Sequence, residues 1–360
     1  MKVLIVFNHP APYKVSIFNE LAKYVDLTVI FERTKASDRP NEFYSSNKYG
    51  FRAIFMTHGY VGREGNISSF VKKYIKAHFR EFDHIVMNGY SHLAEMKAIS
   101  FMKRHHIRFS LLINGGVIKK ESSLKKKYKK SFISAADFYM SPSKHSSEYL
   151  EYYGANPQRI YQYPYSNLSQ AELNKQVANK NTIREKLKLP VNEKIFVNAS
   201  QFIERKNNME LINIFKNRDE RLLLIGEGKE LNKYQSFISD SNIKNITILP
   251  FMKKEELFEY YQASDAFISL AKEDIFGHTI LEALANHLPV IASNKINSAL
   301  EYIKDDYNGY IIDINDINAI NNALDKVLTL NSENCIKSIK NNTFEQCAKS
   351  LYDILAEENK

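Results

Sequence analysis

Residues 271–293 read AKEDIFGHTILEALANHLPVIAS. An apolar run, AFISLA (266–271), ends there in a short polar loop. The loop closes on Gly277, an apolar helical stretch follows, and then a second short β-like run, PVIAS (289–293). A helix that starts beside a glycine presents unpaired backbone N–H groups and the positive end of its dipole. Phosphate is the natural ligand for such an end, and glycine removes the Cβ that would block close approach. Asp274 on the loop and Glu282 one turn into the helix stand on either side of that point. Carboxylates are costly against phosphate, so both are expected to meet hydroxyls: ribose for Glu282, as for acidic residues of dinucleotide sites, and a sugar for Asp274.

Outward from this segment the chain alternates strand-like and helix-like runs. The strand-like runs are 2–8, 26–32, 52–58, 84–89, 108–114 and 138–143, then 194–200, 221–228, 245–250, 266–271, 289–293 and 309–313. They are apolar without clean alternation, as strands buried on both faces are. Strand–helix alternation predicts parallel sheets covered by helices, in two doubly wound Rossmann-like domains. The expected divisions are a first domain over 1–165, a polar connection over 166–192, and a second domain over 193–335. A C-terminal helical segment over 336–360 is expected to cross back to the first domain. Ligands of open parallel sheets bind at the carboxyl ends of strands, so two such edges facing a central cleft would hold one substrate each.

The opening segment resembles the signature of retaining GT-B glycosyltransferases of the GT4, or glycosyl transferases group 1, type. The matching residues are Asp274, Phe276, Gly277, Glu282 and Ala283, then Pro289-Val290-Ile291. Departures are Asp274 for Glu, Ile275 for Gly and His287 for Gly. A second piece, NASQFIERKNN (198–208), resembles the family's basic motif. The resemblance implies that Arg205 and Lys206 neutralise a donor diphosphate as the leaving group develops charge. Gln201 stands where many members have Arg, and Asn207 where many have Gly. In LLLIGEGKEL (222–231), Gly226 and Gly228 fit the family's next turn, a weak signal alone. The loop from Leu249 to Met252, including Pro250, is implied to line the nucleobase pocket through backbone.

The resemblance therefore implies catalytic roles for Asp274, Glu282, Arg205 and Lys206. It implies donor contacts from Gln201, Gly226, Pro250, Phe276, Gly277, His278, Thr279 and Ile280. It implies a metal-independent hexosyltransferase with no cofactor, because the nucleotide-sugar, UDP-linked by preference, is a co-substrate. The leaving phosphate would itself help deprotonate the acceptor. On the first domain His9, Tyr13 and Lys14, in the loop FNHPAPYKVSIFNEL (7–21), are candidate acceptor or phosphate contacts. A rigid turn capped by Asn8 or His9 explains the same residues. Asn114, followed by Gly115 and Gly116, and His92 are further acceptor-side candidates.

Charge sharpens the picture. Residues 1–165 carry 26 Lys+Arg against 13 Asp+Glu, and residues 166–360 carry 24 against 28. Only the first half is suited to an anionic partner. Lys119, Lys120, Lys125, Lys126, Lys127, Lys129 and Lys130 crowd one stretch, with Leu124, Tyr128, Phe132 and Ala136 expected on the opposite, packed face. Such a helix is either an ordinary solvated helix or one that lies on anionic lipid. No run of about 20 apolar residues spans a bilayer, so the expectation is a cytoplasmic protein, peripheral on the inner face of the membrane. The acceptor expected from family habit is a lipid-linked bacterial surface glycan such as capsule, O-antigen or exopolysaccharide.

Other classes explain less. A catalytically weak GT-B partner subunit is consistent with Asp274, Gln201 and Asn207. A nucleic-acid binder would leave the diphosphate motif unexplained and lacks interleaved stacking aromatics. A nicotinamide oxidoreductase would need a third glycine after Gly226 and Gly228. Cys335 and Cys347 are too few for a disulfide framework or a metal site and read as small buried side chains.

Overall fold

The computed structural model describes residues 1–36, 41–44, 47–56 and 67–359. They form two compact units, Met1–Ser169 with Asn341–Lys360, and Gln170–Lys340. In the first, strands β1 (Lys2–Phe7), β2 (Asp26–Phe31), β3 (Arg52–Phe55), β4 (His84–Met87), β5 (Ser110–Leu112), β6 (Phe138–Ser141) and β7 (Ile160–Gln162) make a parallel sheet in the order β3-β2-β1-β4-β5-β6-β7. Thr57 and His58, the end of the expected third strand, lie outside the described residues.

The second unit holds β8 (Ile195–Ala199), β9 (Arg221–Ile225), β10 (Ile246–Leu249), β11 (Ala266–Ser269), β12 (Val290–Ser293) and β13 (Gly309–Ile312). Their order is β10-β9-β8-β11-β12-β13, again parallel. Both orders reverse direction after the first strand of the unit. Loops leaving the strands on either side of that reversal diverge and leave a crevice at the carboxyl edge. In the second unit those strands are β8 and β11; in the first they are β1 and β4.

The stretch 166–192 is more than a connection. It contains helices Gln170–Leu173 and Lys180–Lys186. Arg184 is buried, donating to the Ala263, Val191 and Glu193 carbonyls and pairing with Asp265 at 2.7 Å. Residues 170 onward thus belong to the second unit.

At the other end, the helix Phe344–Glu357 returns to the first unit. Its entry is fixed by Phe344 N donating to the Leu168 carbonyl at 2.7 Å and Ser166 Oγ to the Asn342 carbonyl at 2.7 Å. Its far end is held by Glu358, which accepts from Arg159 and from Tyr161 Oη. Cys347 on this helix and Cys335 are both buried, and burial pushes each thiol up to about 12, so they are inert packing groups.

This returning helix has a consequence for Lys14. The helix Pro12–Leu21 buries Lys14 along with Val15, Ile17, Phe18 and Leu21. Lys14 is 1% exposed, with Nζ 3.9 Å from the centroid of the Tyr165 ring. It is therefore no surface contact for acceptor or phosphate. Burial lowers its ammonium to about 7. Unfolded Lys14 keeps its proton up to about 10.5. The unfolded state thus binds more protons between about pH 7 and 10.5, and stability from this group rises with pH across that window. Lys14→Met should raise the stability at pH 6.5–7, by on the order of a few kcal/mol at most, and with it the melting temperature. The gap between the two proteins should narrow at pH 9.5 in paired thermal melts.

Candidate active site

In the second unit the loop after β8 is built by a ladder of side-chain bonds. Asn198 Nδ2 donates to the Ile268 carbonyl of β11 at 2.7 Å, Ser200 Oγ donates to Asn198 Oδ1 at 2.8 Å, and buried Asn208 Nδ2 donates to Ser200 Oγ at 3.0 Å. Between them a 3-10 turn, Glu204–Lys206, carries the two cations. The turn ends on Asn207 at φ 59°. That left-handed backbone accounts for the glycine expected there, and Asn tolerates it better than most residues. His287, also standing for a glycine, has φ 58° for the same reason.

The loops after β8 and β11 are tied together at three points. Lys272 N donates to the Arg205 carbonyl at 2.8 Å, Arg205 Nη1 to the Glu273 carbonyl at 3.3 Å, and Lys206 Nζ pairs with Asp274 Oδ2 at 2.5 Å. Three of the four expected catalytic residues thus converge on these two loops. The Lys206–Asp274 pair is mostly buried, at 13% and 17% side-chain exposure, so neither charge is spread by bulk water. The shorter Asp in place of Glu is spanned directly by Lys206. Ile275 in place of Gly disturbs nothing: its side chain is exposed and its carbonyl accepts from Asn297 Nδ2.

Gly277 is the N-cap of the helix His278–Ala285, with φ 91° and no side chain to cap the helix. A Cβ there would stand 2.6 Å from Ile296 Cγ2 and 3.0 Å from Ser298 Oγ. Ser298 in turn fixes the turn, its Oγ donating to the Gly277 carbonyl at 2.8 Å and its N to the Phe276 carbonyl at 2.8 Å. The glycine is thus required by the fold before any ligand arrives. Phe276 is buried, its ring 4.9 Å from that of half-buried His278. Thr279 is half-buried. Ile280, expected among the donor contacts, has a fully buried side chain, and its N–H goes to the Gly277 carbonyl at 3.1 Å; its role is core packing.

Glu282 is 8% exposed and accepts from Tyr261 Oη at 3.4 Å. Burial, then the Glu282 charge, holds the Tyr261 phenol well above its ordinary value, so it stays a donor. Tyr261, 21 residues upstream, is a partner that the motif does not announce.

Gly226 follows β9 with φ 149°, and a Cβ there would lie 2.0 Å from the Ser200 carbonyl oxygen. It packs the loop after β9 against the loop after β8. Gln201 is half-buried and Pro250, after β10, is exposed.

In the first unit the candidates also sit at the carboxyl edge. His9 Nδ1 bonds Tyr44 Oη at 3.0 Å, and Asn8 Oδ1 accepts from Arg33 Nε at 2.6 Å. Neither caps the helix Pro12–Leu21, whose N-cap is Ala11. Tyr13 is half-buried beside Tyr165. Asn114 exchanges amide bonds with Asn88 at 3.2 and 3.4 Å, and Asn88 also donates to the Leu112 carbonyl. A Cβ on Gly116 would meet Tyr149 Cγ at 2.4 Å, so that glycine makes room for a core ring. His92 begins the helix Leu93–Arg104 and pairs with Glu32 Oε2 at 2.7 Å. That hydrogen bond raises the imidazole's affinity for its proton.

The basic helix spans Ser123–Ile133, capped by Ser122 Oγ accepting from Lys125 N. Its lysines do not act alike. Lys129 is tucked in, 2.9 Å from Glu121 and 3.1 Å from Tyr153 Oη, and Lys126 Nζ lies 3.8 Å from the Tyr152 ring centroid. Lys119, Lys120, Lys125, Lys127 and Lys130 are exposed. Leu124, expected on the packed face, is 82% exposed, with Ile118 and Tyr128 also outward. Among the described residues, no helix is long and apolar enough to cross a membrane.

Residues 179–345 match the sequence pattern of the family described as Glycosyl transferases group 1. The chain is 31% identical over 178 residues to UDP-Gal:alpha-D-GlcNAc-diphosphoundecaprenol alpha-1,3-galactosyltransferase of Escherichia coli, covering 45% of each chain. It is 30% identical over 151 residues to alpha-monoglucosyldiacylglycerol synthase of Streptococcus pneumoniae, covering 38% of this chain and 34% of that one. The matches thus span less than half the length of these curated relatives. The fold as a whole is similar to that of sucrose-phosphate synthase from Thermosynechococcus elongatus, with TM-score 0.78, 16% identity and 99% of both chains covered. It is equally similar to HepE of Anabaena in complex with UDP, with TM-score 0.78, 14% identity, and 99% and 100% covered.

Proposed function

The chain carries a Glycosyl transferases group 1 domain on a GT-B fold, and from that premise we propose that it is a retaining, metal-independent transferase. It moves a hexosyl group from a nucleoside-diphosphate sugar, UDP-linked, to a hydroxyl of a lipid-linked bacterial surface glycan. The observation that carries this reading is the joining of the loops after β8 and β11. Arg205, Lys206 and an uncapped helix start converge there at the reversal of strand order.

The roles follow from charge. The N–H groups of the helix start and the two cations stabilise the diphosphate as it leaves. Asp274 keeps Lys206 fixed and offers its carboxylate to sugar hydroxyls. Glu282, set back by a turn and steadied by Tyr261, takes the ribose hydroxyls. The leaving phosphate accepts the acceptor's proton. The Escherichia coli relative, whose name specifies UDP-Gal and a diphosphoundecaprenol acceptor, supports UDP and a lipid-linked acceptor.

A donor screen tests the reading. The purified protein is incubated with UDP-, GDP- and TDP-sugars, with and without EDTA, and released nucleotide is measured. Slow release from one UDP-sugar, unchanged by EDTA, is expected. No release and no thermal shift with any nucleotide would replace the enzyme by a non-catalytic partner subunit.

The same reading places the protein on anionic lipid through the helix Ser123–Ile133. That helix and the segment before it carry five exposed lysines together with outward Leu124, Ile118 and Tyr128, which is charge plus insertable apolar surface. Each lysine contributes about 1 kcal/mol near such a surface. Changing Lys119, Lys120, Lys125, Lys127 and Lys130 to Gln should weaken binding to phosphatidylglycerol vesicles by roughly a hundredfold or more. Equal sedimentation of both proteins would remove the membrane from the proposal.

A further inference from the structure

We propose that Glu32, His92 and Glu95 form a site for one divalent transition-metal cation of the zinc class, on the first unit. Glu32 follows β2, while His92 and Glu95 open the helix after β4. Each offers one ligand atom, and these atoms all lie within 4.8 Å of one another. One imidazole nitrogen and two carboxylate oxygens are a donor set that such cations accept, with a fourth position left open.

Three observations point to a ligand. The first is an unpartnered atom: Glu32 is 2% exposed, and its Oε1 has no hydrogen-bond partner among the described residues. A buried carboxylate oxygen without a donor costs free energy that a cation would recover. The second is the pairing of charges. Glu95 is 3% exposed and stands beside Glu32, so two buried carboxylates share one pocket. His92 is the one group of the three open to solvent, at 43% side-chain exposure, and gives a path for entry. The third is a built cradle. A Cβ on Gly89 would lie 2.9 Å from Glu95 Oε1, so glycine leaves the room that this carboxylate occupies.

The carboxylates are also oriented as second partners would orient them. Glu95 Oε2 accepts from the backbone N of Ser91 at 2.8 Å and of His92 at 3.1 Å. Glu32 Oε2 accepts from His92 Nδ1 at 2.7 Å, so the contact that a cation would replace is already assembled. Glu32 and His92 are 60 residues apart, which hides the set from any reading of local spacing.

Without a metal, Glu32 keeps its pair with His92, and burial and then the Glu32 charge push the Glu95 carboxyl up to about 7. Cobalt binding tests for the metal. The full chain is stripped with chelator, dialysed against Co(II), and its visible spectrum and bound metal are measured. One equivalent with visible d–d absorption is expected. Glu32→Gln and His92→Asn should both lose it; Asn can still cap the helix, and Gln keeps the shape of Glu. Cooperative melting of both variants checks their folding. Zn(II) should raise the melting temperature of the parent chain and leave the His92→Asn protein unmoved. The same bound cobalt in parent and His92→Asn, or none in the parent, overturns the proposal and leaves the three residues as an ion pair and a helix cap. The donor screen in the second unit is independent of either result.

Discussion

Glu282→Ala should lower kcat/KM for the nucleotide-sugar by roughly two to four orders of magnitude while the protein still folds. The carboxylate is expected to hold two ribose hydroxyls. Hydrogen bonds to a charged acceptor are worth about 1.5–3 kcal/mol each, and each 1.4 kcal/mol is a factor of ten. The stability cost is smaller. Ala suits a helix interior, and the side chain lost is mostly polar. The Tyr261 hydroxyl, which donates to Glu282 Oε2, loses that acceptor. An unsatisfied buried hydroxyl costs about 1–3 kcal/mol, or a few degrees in melting temperature. Glu282→Gln should fall between the two: Tyr261 keeps an acceptor and ribose loses the charge. Activity of the Ala variant within tenfold of the parent would remove Glu282 from the donor site. A collapse of the melting temperature in both variants would make its role structural.

The fold was legible because its signal is local. Runs such as KVLIVF and RLLLI are buried on both faces, and their strands begin and end within two or three residues of the apolar runs. The loop before the helix His278–Ala285 was legible for another reason: its pattern lies in adjacent residues, a glycine that the structure holds at φ 91° directly before an apolar helical run. What escaped were partnerships over long distances in sequence. Lys206 and Asp274 are 68 residues apart, so two residues read as separate contacts are one ion pair. Lys14 looked like an exposed contact because the helix that covers it arrives from the far end of the chain. Leu124 fits a packed face by periodicity alone, yet it sits at the exposed first turn of its helix. Tyr261 and Glu282 are 21 residues apart, and Glu32 and His92 are 60 apart, so neither pairing shows in local spacing.

Gly226→Ala should be among the most destabilising single substitutions in the second unit, with a melting temperature lower by on the order of 10 °C. Two costs coincide. The backbone at φ 149° is one that residues with a Cβ rarely adopt. A Cβ would also stand 2.0 Å from the Ser200 carbonyl oxygen, which is backbone and cannot move aside by changing rotamer. Both neighbouring strands are pinned, since Ser200 N donates to the Ile225 carbonyl at 3.0 Å and Gly226 N to the Leu249 carbonyl at 3.0 Å. Strain and overpacking of this kind cost about 3–5 kcal/mol together, and a unit of this size loses about 2–4 °C per kcal/mol. The damage should reach function as well. Ser200 begins the loop that carries Arg205 and Lys206, so displacing it moves both cations away from the helix start at His278. Gly50→Ala is the control: its Cβ would meet only Asn19 side-chain atoms, at 3.2 Å and beyond. That variant should melt within about 2 °C of the parent, as surface changes do. If Gly226→Ala melts there too and still binds UDP, the loops after β8 and β9 are not packed as tightly as these distances require. The diphosphate site would then have to be held by the loop after β11 alone.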